Sequence, residues 1–180
     1  MIKIHEYNEV WPEWFYMEKD RVLKRVIGSD IEIEHVGSTS VYGMPSKPTI
    51  DMCMTVEILE STKNIIAALQ TLDYQYLPEL EKTIPDRRYL QFLDENGEHK
   101  FHIHIVERNS WRHQDYLLVR DYLREHSDEA EAYAQLKRDL SNEYTHDREA
   151  YTEGKAEFIR DLLGRARIWQ SSQRTPIICR

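Results

Sequence analysis

The sequence predicts an α/β fold of the α+β kind: a mixed sheet followed by a helical C-terminal half. Three observations predict it. Strand-like stretches, alternating or continuously apolar, fall only before about residue 108, whereas the remainder carries helical spacing alone. Asp94-Glu95-Asn96-Gly97 separates two apolar runs, and an Asn-Gly pair in that place marks a hairpin. Last, 180 residues with 41% hydrophobic and 31% charged side chains, 6 Gly and 6 Pro, make an ordinary globular composition with enough chain for one substantial core.

The elements follow in order. After a short extended start, Pro12 suits a first helical turn, and Trp11, Trp14, Phe15, Val22, Leu23 and Val26 recur at helical spacing, so 12–27 reads as a helix that ends at Gly28-Ser29-Asp30. Residues 31–36 alternate Ile, Glu, Ile, Glu, His, Val as a half-buried strand does. Residues 49–56 are mostly apolar, as in a strand covered on both faces. A helix is expected over 61–72, a short strand over 74–77, a loop over 78–86, and two hairpin strands over 88–93 and 100–106. Ser110 can cap a helix over 111–125, and Ser127 one over 128–144. A third helix is expected over 147–168. The organisation is an α/β part over 1–108, a helical part over 109–170 packed on it as one unit, and a flexible tail over 171–180.

The formal charge of −8 argues against general nucleic-acid binding, which runs on clustered Lys and Arg. It leaves room for a small anionic ligand in a local basic pocket. Cys53 and Cys179 are too few for a disulfide framework or a Cys-rich zinc site. The opening MIKIHEYNEVW has no apolar targeting stretch, and no run approaches the ~18 apolar residues of a membrane span. A cytoplasmic protein without membrane contact is expected. The oligomeric state is left open.

The densest chemical information lies in His35-Val-Gly-Ser-Thr-Ser-Val-Tyr-Gly-Met-Pro-Ser-Lys-Pro-Thr-Ile-Asp51. A strand ends in Gly37-Ser38, the chain crosses a loop, and a second strand presents Asp51. Gly37 lets backbone approach a ligand closely, and N–H groups and hydroxyls of Ser38, Thr39 and Ser40 suit a phosphate. Asp51 opposite them suits a divalent metal such as Mg²⁺ bridging phosphates, an arrangement for phosphoryl or nucleotidyl transfer. The same pattern also fits a plainer role, with Ser38 and Thr39 closing a turn and Asp51 paired to a local base.

This run resembles the polymerase-beta-type nucleotidyltransferase signature, a Gly-Ser pair followed after twelve residues by Asp in an apolar strand. More narrowly, HVGSTSVYGMPSKPTID resembles the HVGSTSVPGLPAKPIID of the GrpB family. The likeness continues through the His-x-His strand near 101–106, through Leu118-Val-Arg-Asp-Tyr-Leu-Arg124, and through Arg148…Tyr151…Lys155…Phe158-Ile159. It covers about residues 5–168. The resemblance implies a nucleotidyltransferase-like fold and little about the reaction; a nucleoside triphosphate and a divalent metal, with Asp51 as the catalytic carboxylate, are what the transferase reading of these residues expects. The chain departs from the superfamily where a second carboxylate is usual two residues on: that place holds Cys53. Where a third carboxylate is usual, the strand carries His102 and His104.

His102 and His104 share one face of their strand, opposite Phe101, Ile103 and Ile105. With Asp51 they form a plausible metal set; they also suit a phosphate-binding pair, a general base, or two ordinary polar residues on a solvated face. His35 reads as structural, and His99 and His113 show no pattern. Lys47 stands at the mouth of the proposed site as a mobile point charge for phosphate. Arg148, Tyr151 and Lys155 fall at spacings of three and four, on a helical face that continues into Ile159 and Leu162. A lysine on an apolar stripe needs an anion, a buried carboxylate or an exit to solvent, and Lys137 poses the same question one helix earlier. Arg88 and Arg120 are weaker candidates of this kind. The readings kept are a nucleotidyl- or phosphoryl-transferring enzyme, an anion-binding module that has lost turnover, and a His/Asp metal-site hydrolase.

Overall fold

The computed structural model describes residues 1–28 and 30–174. Helix α1 spans Trp11–Arg25, and β1 spans Glu32–Val36. A single 3-10 turn, Ser38–Ser40, leads toward β2, Ile50–Val56. A second 3-10 turn, Leu59–Thr62, precedes α2 (Lys63–Gln70), which is thus shorter at both ends than the periodicity suggests. Strand β3 is only Gln75–Tyr76, and Pro78–Lys82 forms a 3-10 turn within the expected loop. Strands β4 (Arg88–Leu93) and β5 (His99–Glu107) form the hairpin. Asp94 Oδ1 accepts from the N–H groups of Asn96 and Glu98, and Gly97 takes φ +75°.

The strand order is β1-β2-β5-β4-β3, antiparallel throughout except for the parallel pair β2–β5. Parallel neighbours need a long crossover, here α2, β3 and β4. One sheet face carries Ile33, Ile50, Met52, Met54, Ile103, Ile105 and Leu90, which pack with Trp11, Phe15 and Val22 of α1 and Ile65, Ile66 and Leu69 of α2 into the main core. The other face carries Asp51, Cys53, His102 and His104, and the C-terminal helices lie over it.

Those helices are α3 (Trp111–Glu125), α4 (Ser127–Glu143), α5 (Arg148–Glu153) and α6 (Ala156–Arg174). Ser110 caps α3, accepting from the His113 N–H. Ser127 does not cap α4: it is the first helical residue, and His126 holds the cap position. Leu118, Tyr122, Leu123, Tyr133, Leu162 and Ala166 join Val41 and Met44 in a second cluster. The single helix expected over 147–168 is instead two. Asp147 caps α5, accepting from the Ala150 N–H, and the chain breaks at Gly154, where a Cβ would meet Leu140 Cδ2 at 2.6 Å. Helix α6 then runs through Arg174, past the expected end, so the expected tail begins inside a helix. Its remainder, with Cys179, lies outside the described residues. No helix among the described residues is long and apolar enough to cross a membrane.

Candidate functional site

Strand β1 ends against Gly37, whose backbone sits at φ +71°, ψ −175°. A Cβ there would lie 2.5 Å from Asp51 Oδ2 and 3.1 Å from Asp51 Cβ. Close approach to the carboxylate, rather than to a ligand, is therefore what first requires glycine here. The following turn is too short to be a helix with a dipole. Its polar side chains divide their duties. Thr39, expected among the phosphate ligands, is buried: its Oγ1 pairs with His35 Nε2 at 3.0 Å and donates to the Thr49 carbonyl at 3.4 Å. Ser40 turns back to donate to the Gly37 carbonyl. Ser38 is half-buried, within hydrogen-bonding reach of the Tyr133 hydroxyl. His35 is structural, as its position suggests: its ring stacks on Phe15 at 4.7 Å, and burial pushes its pKa down to about 4.

The parallel register sets Asp51 beside His102 and Cys53 beside His104. Asp51 Oδ1 lies 2.9 Å from His102 Nδ1 and 3.4 Å from His104 Nε2. One ligand atom from each of the three residues lies within 4.8 Å of the others. Both histidines are buried, while 29% of the Asp51 side chain meets solvent, so the trio sits at the floor of an opening. Burial works against ionising Asp51, but the hydrogen bonds from His102 and His104 outweigh it and hold the carboxyl below the ordinary range. Burial pushes the His104 pKa down despite its bond to Asp51. Each histidine has a second partner. His102 Nε2 lies 3.1 Å from His99 Nδ1, and His104 Nδ1 faces Arg87 Nη1 at 3.3 Å and the Tyr116 hydroxyl at 3.2 Å. Tyr89 places its ring 5.3 Å from His102 and 5.2 Å from His104.

A cationic rim stands beside this trio. Lys47 Nζ and Lys155 Nζ lie 4.7 and 4.4 Å from the ring centroid of Tyr151, itself buried. Lys155 sits in the break between α5 and α6, not on a continuous helix, yet it meets Tyr151 all the same. Burial first, then Arg148 and Lys155, push the Lys47 pKa down to about 7; Asp51 pulls the other way. Burial and Arg148 likewise lower Lys155 to about 8, again against Asp51. Among the described residues no carboxylate forms an ion pair with Lys47, Lys155, Arg148 or Arg87. Lys137 differs. Its ammonium donates to the Pro45 carbonyl and lies 4.8 Å from the Tyr133 ring, tying α4 to the loop before Lys47.

Other candidates resolve into structure. Arg88 pairs with Glu81 at 3.2 Å; Arg120 bridges Glu34, Asp121 and the His35 carbonyl. His113 accepts the Asn109 N–H at Nδ1 and faces Glu34 with Nε2. Cys53 is fully buried among Val36 and Val106, with Tyr116 and Leu117 packed alongside, and burial raises its thiol to about 12.

The sequence alone missed His99, Arg87, Tyr89, Tyr116 and Tyr133. Tyr89 was the most accessible to inference, since alternation on β4 gives it the same face as its register partner His104. Arg87, Tyr116 and Tyr133 carry no local signal, because only the packing of β4, α3 and α4 over the sheet brings them here.

The family model described as GrpB protein matches residues 1–165. The chain belongs to the GrpB family. Curated relatives include the UPF0157 protein YqkA of Bacillus subtilis, 35% identical over 96% of this chain and 49% of that protein. Another is the UPF0157 protein SCO7215 of Streptomyces coelicolor, 30% identical over 92% of this chain and 84% of that protein. The chain thus spans about half the length of YqkA and most of SCO7215. Among solved structures, conserved protein GrpB from Enterococcus faecalis superimposes with a TM-score of 0.82 at 28% identity, covering 93% of this chain and 99% of that one. The Cid1 poly(U) polymerase, in a MgGTP-bound structure, matches with a TM-score of 0.50 at 16% identity, covering 84% of this chain and 50% of that one. That likeness shows a shared nucleotidyltransferase-like fold in this GrpB chain and nothing about its ligand.

Proposed function

We propose that this GrpB protein uses a divalent metal, held by Asp51, His102 and His104, to act on a phosphate-bearing small ligand. The reaction class is phosphoryl or nucleotidyl transfer, and a nucleotide is the leading ligand. One observation carries the proposal: a carboxylate and two imidazoles converge within 4.8 Å, and the Asp51 charge acts on two lysines that have no carboxylate ion-pair partner among the described residues. Lys47, Lys155 and Arg148 would hold the phosphates, with Tyr151 fixing the two ammonium groups, and Ser38 and the Gly37 backbone would border the opening. A metal there would supply charge neutralisation at a phosphoryl oxygen. The donor set favours zinc, manganese or iron over Mg²⁺, which prefers oxygen ligands.

The chain's own residues divide the work. Gly37 admits the Asp51 carboxylate, His102 and His104 fix it, and the rim binds anionic charge that would otherwise be repelled by a protein of net charge −8. Cys53 supports a second reading, an anion-binding module without turnover, because its burial leaves one carboxylate where two-metal chemistry uses more. Metal analysis of the purified protein, followed by melting curves with a nucleoside triphosphate, with and without Mn²⁺, tests the proposal. A metal-dependent rise in melting temperature that Asp51→Ala abolishes supports it. No bound metal and no shift at millimolar nucleotide would overturn it.

A further inference from the structure

We propose that Arg87 and Tyr116 are positioning residues that set the metal affinity of His104, and that they act in opposite directions. The proposal rests on the metal reading above. Its basis is the direction in which each neighbour of His104 can share a proton.

An arginine side chain only donates. With Arg87 Nη1 at 3.3 Å, His104 Nδ1 must accept, so the ring's single proton sits on Nε2 and is donated to Asp51 Oδ1. In that tautomer Nε2 has no lone pair for a cation. A metal bound with Asp51 and His102 needs the lone pair on Nε2, and the proton then moves to Nδ1, where it must find an acceptor. Metal-ligating histidines as a rule donate their other N–H to such a group. Arg87 cannot be that acceptor. The Tyr116 hydroxyl, 3.2 Å away, can.

His102 has no such conflict. Its Nδ1 faces Asp51, and its outer nitrogen faces His99 Nδ1 at 3.1 Å, an imidazole able to accept as readily as donate. Arg87 for its part also donates to the Tyr116 hydroxyl, so in the metal-free arrangement it engages both His104 Nδ1 and the group that would accept from it. Its Nε is buried without a hydrogen-bond partner, and its guanidinium lies 5.0 Å from the Tyr89 ring. No carboxylate among the described residues holds it. Arg87 therefore latches His104 in the metal-free tautomer, and Tyr116 supports the metal-bound one.

The test is metal affinity, measured by competition with a chromophoric chelator for Zn²⁺ and Co²⁺, on the wild-type chain and three variants. Arg87→Met removes the donor and should tighten binding about tenfold, Tyr116→Phe removes the acceptor and should weaken it about tenfold, and Arg87→Lys keeps a donor and should stay near wild type. A gain in affinity is a result that mere damage to the fold does not give. Nitrogen-15 spectra of the metal-free wild type supply a second measurement, with His104 carrying its proton on Nε2. Metal on the wild type with unchanged affinity in Arg87→Met, or a His104 proton on Nδ1, would overturn this proposal and leave the metal reading standing. No metal on any of the four proteins would overturn the metal reading and this proposal together. Metal on Arg87→Met alone would support both.

Discussion

Gly37 and Asp51 are in such close contact that a single added carbon at Gly37 would lie 2.5 Å from the Asp51 carboxylate oxygen. The backbone at Gly37 is also in the left-handed region, so both space and conformation exclude a side chain. Gly37→Ala should destabilise the protein by about 1–3 kcal/mol from backbone strain alone, with further loss from displacing Asp51. Urea denaturation measures the first effect. Loss of bound metal beyond the loss of fold measures the second.

Asp51 is the acceptor that both histidines share, and its charge works against the lowering of Lys47 and Lys155. Asp51→Asn keeps the shape and removes the charge. The expected outcome is a folded protein with a lower melting temperature, because the two lysines lose their attractive neighbour, and no metal-dependent nucleotide shift. A variant that melts higher and still responds to metal would show that another group holds the cation.

Burial holds Lys47 at about 7 and Lys155 at about 8, against 10.5 for a free lysine. The unfolded chain therefore binds more protons than the folded one between those values and 10.5, and stability rises with pH across that window. Below about pH 7 the full penalty of two buried cations is present; above about pH 10.5 it has vanished. Each lysine contributes at most about 1.4 kcal/mol per pH unit, trimmed by its contact with solvent. Urea midpoints at about pH 7 and about pH 9 should increase in that order, and Lys47→Met should flatten the difference. The same variant should weaken phosphate-ligand binding about tenfold, the worth of one charge-assisted hydrogen bond.

Cys53 occupies the place of the second carboxylate but points into an apolar cluster with Val36 and Val106. Cys53→Asp should bury a carboxylate there, with Glu34 against it and Arg120 in its favour, and destabilise the fold by about 3–5 kcal/mol without raising metal affinity. Chelator competition on the folded fraction checks the second half of that statement. A tighter site would mean that the new carboxylate reaches Asp51 and His104 along the sheet face they share.

The sequence by itself determined the sheet and its supply of chemistry. Period-two alternation over β1 and β5 and the continuous apolar run of β2 identified the strands, since a strand's side chains obey local geometry. The same alternation put His102 and His104 on one face, and Gly37, Ser38 and Asp51 were visible as a spaced motif. Helix boundaries were less legible. The break at Gly154 depends on Leu140 from another helix filling the space a side chain would need, which no local pattern encodes. What only the tertiary structure decided is which groups surround Asp51. The parallel pairing of β2 with β5 brings together residues 51 apart in the chain, and α5 and the break that follows it carry Tyr151 and Lys155 back over them. It also separated look-alikes. Thr39 and Arg120 turned to internal partners, while Arg87 and Tyr116, silent in the sequence, reached His104. Local sequence fixes the direction in which a side chain leaves its backbone; which partner it meets depends on how distant elements pack to bury their apolar faces.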